Sequence, residues 1–215
     1  MRKRALRCSG LGMALLLQCL TLPSRARACV VGTGAGASCS EAALNACLPG
    51  GGSFDGTVTF NCGGAATITV TSTKTISADT TIDGGSLITT SGGNSVGVFS
   101  VDAGVNFTIQ NLTIAESGGY DSGISSSGTL TITNSTFFRN TGGILNAGTL
   151  VVTSSAFSGN SAFTDGGGIY NTGNGVLTVT NSTFSGNSAG FQWMGGGIVN
   201  WGGDGHCHRQ HLLRQ

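Results

Sequence analysis

Leu130-Thr-Ile-Thr-Asn-Ser-Thr-Phe-Phe-Arg-Asn140, Leu150-Val-Val-Thr-Ser-Ser-Ala-Phe-Ser-Gly-Asn160 and Leu177-Thr-Val-Thr-Asn-Ser-Thr-Phe-Ser-Gly-Asn187 are three copies of one pattern, and Phe107-Thr-Ile-Gln-Asn-Leu-Thr-Ile114 is a degenerate fourth. Each copy follows an x-Gly turn. The three full copies are also followed, at variable distance, by a Gly-Gly-Ile segment reaching Ile144, Ile169 or Ile198. Apolar residues alternate with Thr, which predicts a strand with one buried and one wet face. Phe at the eighth position opens a second short strand, and Gly-Gly-Ile a third.

Working outward, the residue two before the turn glycine is Asp83, Asp102, Ser126, Asn146, Asn171 and Asn200, at intervals of 19, 24, 20, 25 and 29. One unit is therefore roughly twenty to thirty residues, a solenoid period. Three short strands per unit leave no room for helices. The expected fold is all-β, a single-stranded parallel β-helix over residues 57–203. Coils stacked about 4.8 Å apart would put each Asn or Ser of that column within hydrogen-bonding reach of the next. Composition agrees: Gly is 38 of 215 residues, Pro only 2 and charged residues 9%. That excludes collagen, coiled coils and disordered chains.

The ends differ from the body. Arg2, Lys3, Arg4 and Arg7 precede an apolar stretch from Leu11 to Leu22, and Ala26-Arg27-Ala28 offers a small-x-small cleavage pattern. Residues 1–28 read as a cleaved signal peptide, cut between Ala28 and Cys29. Its apolar part is too short to span a bilayer, and no transmembrane helix is expected in the mature chain. Arg27 argues against a lipoprotein signal. Export places Cys29, Cys39, Cys47 and Cys62 in an oxidising compartment. Residues 29–56 read as a disulfide-bearing cap with a short helix. Ser38 to Glu41 has capping-box spacing, and Pro49-Gly50 ends the helix. Cys39 and Cys47 would stand about 12 Å apart along that helix, too far to bridge. This leaves Cys29–Cys39 with Cys47–Cys62, the favoured pairing, or Cys29–Cys47 with Cys39–Cys62.

Phe137-Phe-Arg-Asn140, Phe157-Ser-Gly-Asn160 and Phe184-Ser-Gly-Asn187 resemble the FxxN element of polymorphic outer membrane protein repeats. Gly142-Gly-Ile144, Gly167-Gly-Ile169 and Gly196-Gly-Ile198 resemble its GGxI partner. Thr80-Thr-Ile-Asp-Gly-Gly85 looks like an early coil of the pectate-lyase-like superfamily. The resemblance implies a right-handed β-helix outside the cell, as an adhesin-like surface protein or a polysaccharide-acting enzyme.

Candidate chemistry is sparse. Between Cys29 and Gly203 the only cations are Lys74 and Arg139, against eight carboxylates, a net charge of −6. No cationic footprint for nucleic acid exists. Asp83 and Asp102, on adjacent coils of one column, would stand about 5 Å apart, near the separation of a retaining glycosidase pair. They are also the candidates for a Ca²⁺ site. A structural turn role is favoured for both, and Asp121 and Asp165 read as loop-tip residues. Trp193 and Trp201 could stack on sugars, with ordinary packing favoured. Four sequons, at Asn106, Asn111, Asn134 and Asn181, recur because the repeat recurs.

His206-Cys207-His208 with His211 suggests a transition-metal site. The composition break at Asp204 suggests a frameshift instead. With one nucleotide dropped from the Asp204 codon, codon degeneracy permits Thr-Val-Thr-Val-Thr-Asp-Ser-Thr-Phe-Ser-Gly-Asn over residues 204–215, close to Leu177–Asn187. Read as written, this aberrant tail is expected not to stack as a coil. No catalytic residue, cofactor or metal is assigned. The expected function is that of an exported, non-enzymatic, adhesin-like scaffold, secreted or on a bacterial outer-membrane surface, C-terminally incomplete, with a host-surface or glycan ligand. The alternative is the N-terminal part of a polysaccharide lyase or glycoside hydrolase.

Overall fold

The computed structural model describes residues 28–119, 122–164, 166–190, 195–201 and 205–213, the last stretch as backbone. Residues 1–27 of the signal segment, Asp121, Asp165 and Trp193 lie outside the described residues, as do the side chains of the tail histidines and Cys207.

The described strands form a right-handed parallel solenoid of about seven turns. One coil runs Ile144–Asn146, Thr149–Thr153 and Ala156–Ser158, and the next runs Ile169–Thr172 and then Val176–Ser185. Every strand pairing is parallel, each strand hydrogen-bonding to its counterpart one coil away. The alternation decides which face is buried. Phe107, Leu130, Leu150 and Leu177 form one fully buried column, and Ile82, Ile109, Ile132, Val152 and Val179 another. Phe137, Phe157 and Phe184 stack face to face, with ring centroids 4.6 and 4.7 Å apart. The Gly-Gly-Ile glycines are required by close approach: a Cβ on Gly168 would fall 2.8 Å from Phe184 Cδ1.

The corner between the first and second strands explains the recurring Asn-Ser. Asn111, Asn134, Ser154 and Asn181 have φ near +50° (53, 49, 50 and 51°), the left-handed region Asn tolerates best among residues with side chains. Ser135, Ser155 and Ser182 follow three of these corners and are buried. Ser155 Oγ accepts the Ser135 N–H at 3.1 Å, and Ser182 Oγ accepts the Ser155 N–H at 3.2 Å. Three of the four sequon asparagines are thus corner residues.

Three expectations are corrected here. The disulfides are Cys29–Cys47 and Cys39–Cys62, not the favoured alternative. Cys29 opens the strand Cys29–Val31, and the last residue of the helix Glu41–Cys47 returns beside it. Val31 pairs with Phe60 at the strand's other end, where Cys39 meets Cys62. The capping box is also displaced. Ser40, not Ser38, caps the helix, accepting the Ala43 N–H at 3.3 Å, while Ser38 accepts the Thr33 N–H. The third concerns the tail: the backbone of Gly205–Leu213 is a strand paired in parallel with Val176–Ser185.

The cap is clasped to the solenoid by Glu41. Its carboxylate takes the Lys74 ammonium at 2.5 Å and the Thr71 N–H at 2.8 Å. Lys74, expected as one of two body cations, is only 8% exposed.

Candidate functional site

Asp83 sits in the long strand Thr80–Ser91, inside a bulge where the register shifts between Asp83 and Ile88. Its neighbour one coil on is Gln110, not Asp102. Gln110 Nε2 donates to Oδ2 at 2.8 Å, while Asn111 Nδ2 and the Gly85 N–H donate to Oδ1 at 3.0 and 2.9 Å. Burial pushes the Asp83 pKa up. The hydrogen bonds from Asn111, Gly85 and Gln110 outweigh it, and the net shift is downward. This carboxyl is held as an anion, the wrong state for a general acid at neutral pH.

Asp102 lies in a turn at the end of a strand of the other sheet. It follows Phe99–Val101, and its backbone forms a turn, its N–H donating to Ile76 O and its carbonyl accepting from Val105 N. The expected carboxylate pair is therefore not formed. The residues in register with Ser126, Asn146, Asn171 and Asn200 are Val101 and Ile76. Two local features account for the difference. Gly85 lies in a strand bulge rather than a coil turn, and the Asp102-Ala-Gly104 turn carries one extra residue before its glycine.

The remainder of that column behaves as its residue types require. Asn146 Nδ2 donates to Asn171 Oδ1 at 2.6 Å, and Asn171 Nδ2 to Asn200 Oδ1 at 2.7 Å. A second ladder was not legible as one in the sequence. Asn140 Nδ2 donates to Asn160 Oδ1, and Asn160 Nδ2 to Asn187 Oδ1, each at 2.9 Å. The same amides also donate to the carbonyls of Ile114 and Phe137, and that of Asn187 to Phe157. All three asparagines are buried. Their fixed place three residues after each Phe was the available signal.

An open groove of about 460 Å³ runs beside Asp83, lined by Phe60, Asn61, Gly63, Gly85 and Leu87 among others. Leu87 is exposed, as is Phe163 just after the short strand Ser161–Ala162. Trp201, for which packing was favoured, is 58% exposed on the strand Ile198–Trp201. Arg139 lies over the Phe138 ring at 4.8 Å. Among the described residues no three His, Cys, Asp or Glu side chains gather in a metal-binding group, and no helix is long and apolar enough to cross a membrane.

Comparison with curated proteins and with solved structures finds no match to either. A family model does match, described as a right-handed beta helix region and covering residues 54–210. That span includes the solenoid strands from Thr57 to Trp201 with the ladders and corners above, and the chain belongs to the right-handed β-helix family.

Proposed function

We propose that the chain is an exported, non-enzymatic display scaffold, adhesin-like, secreted or held at a bacterial outer-membrane surface, with repeats of the polymorphic outer membrane protein kind. The observation that carries this reading is how the polar groups are used. Asp83 is spent on Gln110, Asn111 and Gly85, Asp79 on the N–H and amide of Asn106, and Glu41 on Lys74 and Thr71. These carboxylates hold coil to coil or cap to coil, and the Asn and Ser ladders do the same work inside. Export is supported by the basic-then-apolar leader ending in Ala-Arg-Ala, and by two disulfides.

The competing reading, a fragment of a carbohydrate-active enzyme, draws on the groove beside Asp83. One comparison separates them. Wild type and the Asp83→Asn, Asp102→Asn double variant are incubated with neutral and acidic polysaccharides, and both release and retention of sugar are measured. The scaffold reading expects no release by either protein. Release by the wild type that is lost in the double variant would establish the enzyme instead.

A further inference from the structure

The backbone of Gly205–Leu213 adds a row to the sheet that carries the repeat, and a single offset of 28 residues holds along it from Leu177 to Ser185. His206, His208 and His211 stand opposite Thr178, Thr180 and Thr183. Gly205, Cys207 and Leu212 stand opposite Leu177, Val179 and Phe184, all fully buried, and Gln210 stands opposite the buried Ser182. As written, this row has three histidines where the strand before it has threonines.

A change of reading frame restores the pattern. A His codon is C-A-pyrimidine. Read one nucleotide on, with the base that follows each of them here, it encodes only Thr or Ile. All three histidines thus become β-branched residues at once, in the three columns where Val176–Ser185 holds Thr. Cys207 becomes only Val or Ala, opposite Val179, and Gln210 only Asn or Ser, opposite Ser182. At the other three paired positions the pattern residue is permitted: Val for Gly205, Phe for Leu212 and Ser for Leu213. The third frame serves as a control. It turns His206 into Leu and Cys207 into Ser or Pro, the reverse of what those two columns hold.

We infer that residues 204–215 are an out-of-frame reading of one more coil, and that this coil is the segment that fits the edge of Val176–Ser185. The register carries the inference. The shifted pattern sets its own alignment on Leu177–Asn187, and the backbone of Gly205–Leu213 pairs at that same alignment. A slip of one residue would set the apolar residues of the new row opposite threonines, because side chains alternate faces with a period of two. Restored, the row continues columns of the core. Leu212→Phe follows Phe137, Phe157 and Phe184, whose ring centroids stand 4.6 and 4.7 Å apart. Gln210→Ser follows Ser135, Ser155 and Ser182, each of which accepts a backbone N–H from the coil before it. No display role is assumed, so the inference stands or falls apart from the scaffold reading.

Two experiments test it. The nucleotides of codons 204–215, read one position on, are expected to give Val or Ala for Gly205 and Phe for Leu212. The code also permits Gly or Asp at the first and Ser, Tyr or Cys at the second, and any of these overturns the inference. The second experiment replaces residues 204–215 of the full chain with Thr-Val-Thr-Val-Thr-Asp-Ser-Thr-Phe-Ser-Gly-Asn. Its Tm is compared with that of the chain as written and with that of a scrambled tail of the new composition. Each interface between coils adds to the stability of a solenoid. A rise of several degrees over both is expected, most of it lost when the new tail carries Leu212→Ala in place of Leu212→Phe. No rise, an equal rise with the scrambled tail, or a rise undiminished by Leu212→Ala overturns the inference. So does tight stoichiometric zinc binding by the original tail that is lost in His206→Ala with His208→Ala.

Discussion

At the residue scale, stability rests on buried amides and stacked rings. Asn160 is fully buried, with its amide shared between Asn187 Oδ1 and Phe137 O, and its own oxygen accepting from Asn140. Asn160→Leu keeps the volume but strands partners in two neighbouring coils. A loss of about 2–4 kcal/mol is expected in denaturant unfolding, because buried polar groups left unpaired cost about 1–3 kcal/mol each. Phe157, sandwiched between Phe137 and Phe184, is the matching apolar case. Phe157→Ala should cost about 3–5 kcal/mol by the same measurement. Cost for Phe157→Ala alone, with none for Asn160→Leu, would mean the ladder contributes alignment and not stability.

At the element scale the cap is the informative piece. The hydrogen bond from Lys74, followed by those from Thr71, holds the Glu41 pKa below the ordinary carboxylate range despite partial burial. A depressed folded-state pKa contributes stability above the unfolded value, and that contribution is lost as pH falls through the lowered one. The Tm gap between wild type and Glu41→Gln should therefore be open at neutral pH and close in acid below the usual carboxylate range. A gap independent of pH would assign the loss to packing. The disulfide Cys39–Cys62 closes a loop with a sequence separation of 23. Replacing both cysteines by Ser should cost about 3 kcal/mol, since the cross-link restricts the unfolded chain.

At the scale of the whole molecule, charge and curvature set what the surface can meet. The body's net −6 leaves no region to attract a polyanion. The purified chain should pass through heparin at about 0.1 M salt, where screening spans ~10 Å. Retention there would require a cationic patch that neither the composition nor the described surface contains. The solenoid's regularity makes any surface repeat as dense as the coil spacing. A single row of residues thereby becomes a two-dimensional array.

The sequence by itself determined the coil. The alternation in Leu130–Thr133 and Leu177–Thr180, the phenylalanine at the eighth position and the paired glycines each carry a local cause: face, stacking and close approach. Parallel stacking then follows, because identical segments have nowhere else to bury the same face. The tertiary structure alone decided three things. Which cysteines meet depended on where the chain returns after Gly32 and after the helix, a matter of path and not of spacing. Whether Asp83 and Asp102 face each other turned on a bulge and on one extra turn residue. Neither feature is visible in composition, and each puts its glycine out of step with the coil turns, so residues at the same spacing from a glycine fall at the ends of different sheets. The Asn140–Asn160–Asn187 ladder was present in the pattern as letters. Only stacking showed that each amide serves the coil beside it, because that bond joins residues 20 and 27 apart in the chain.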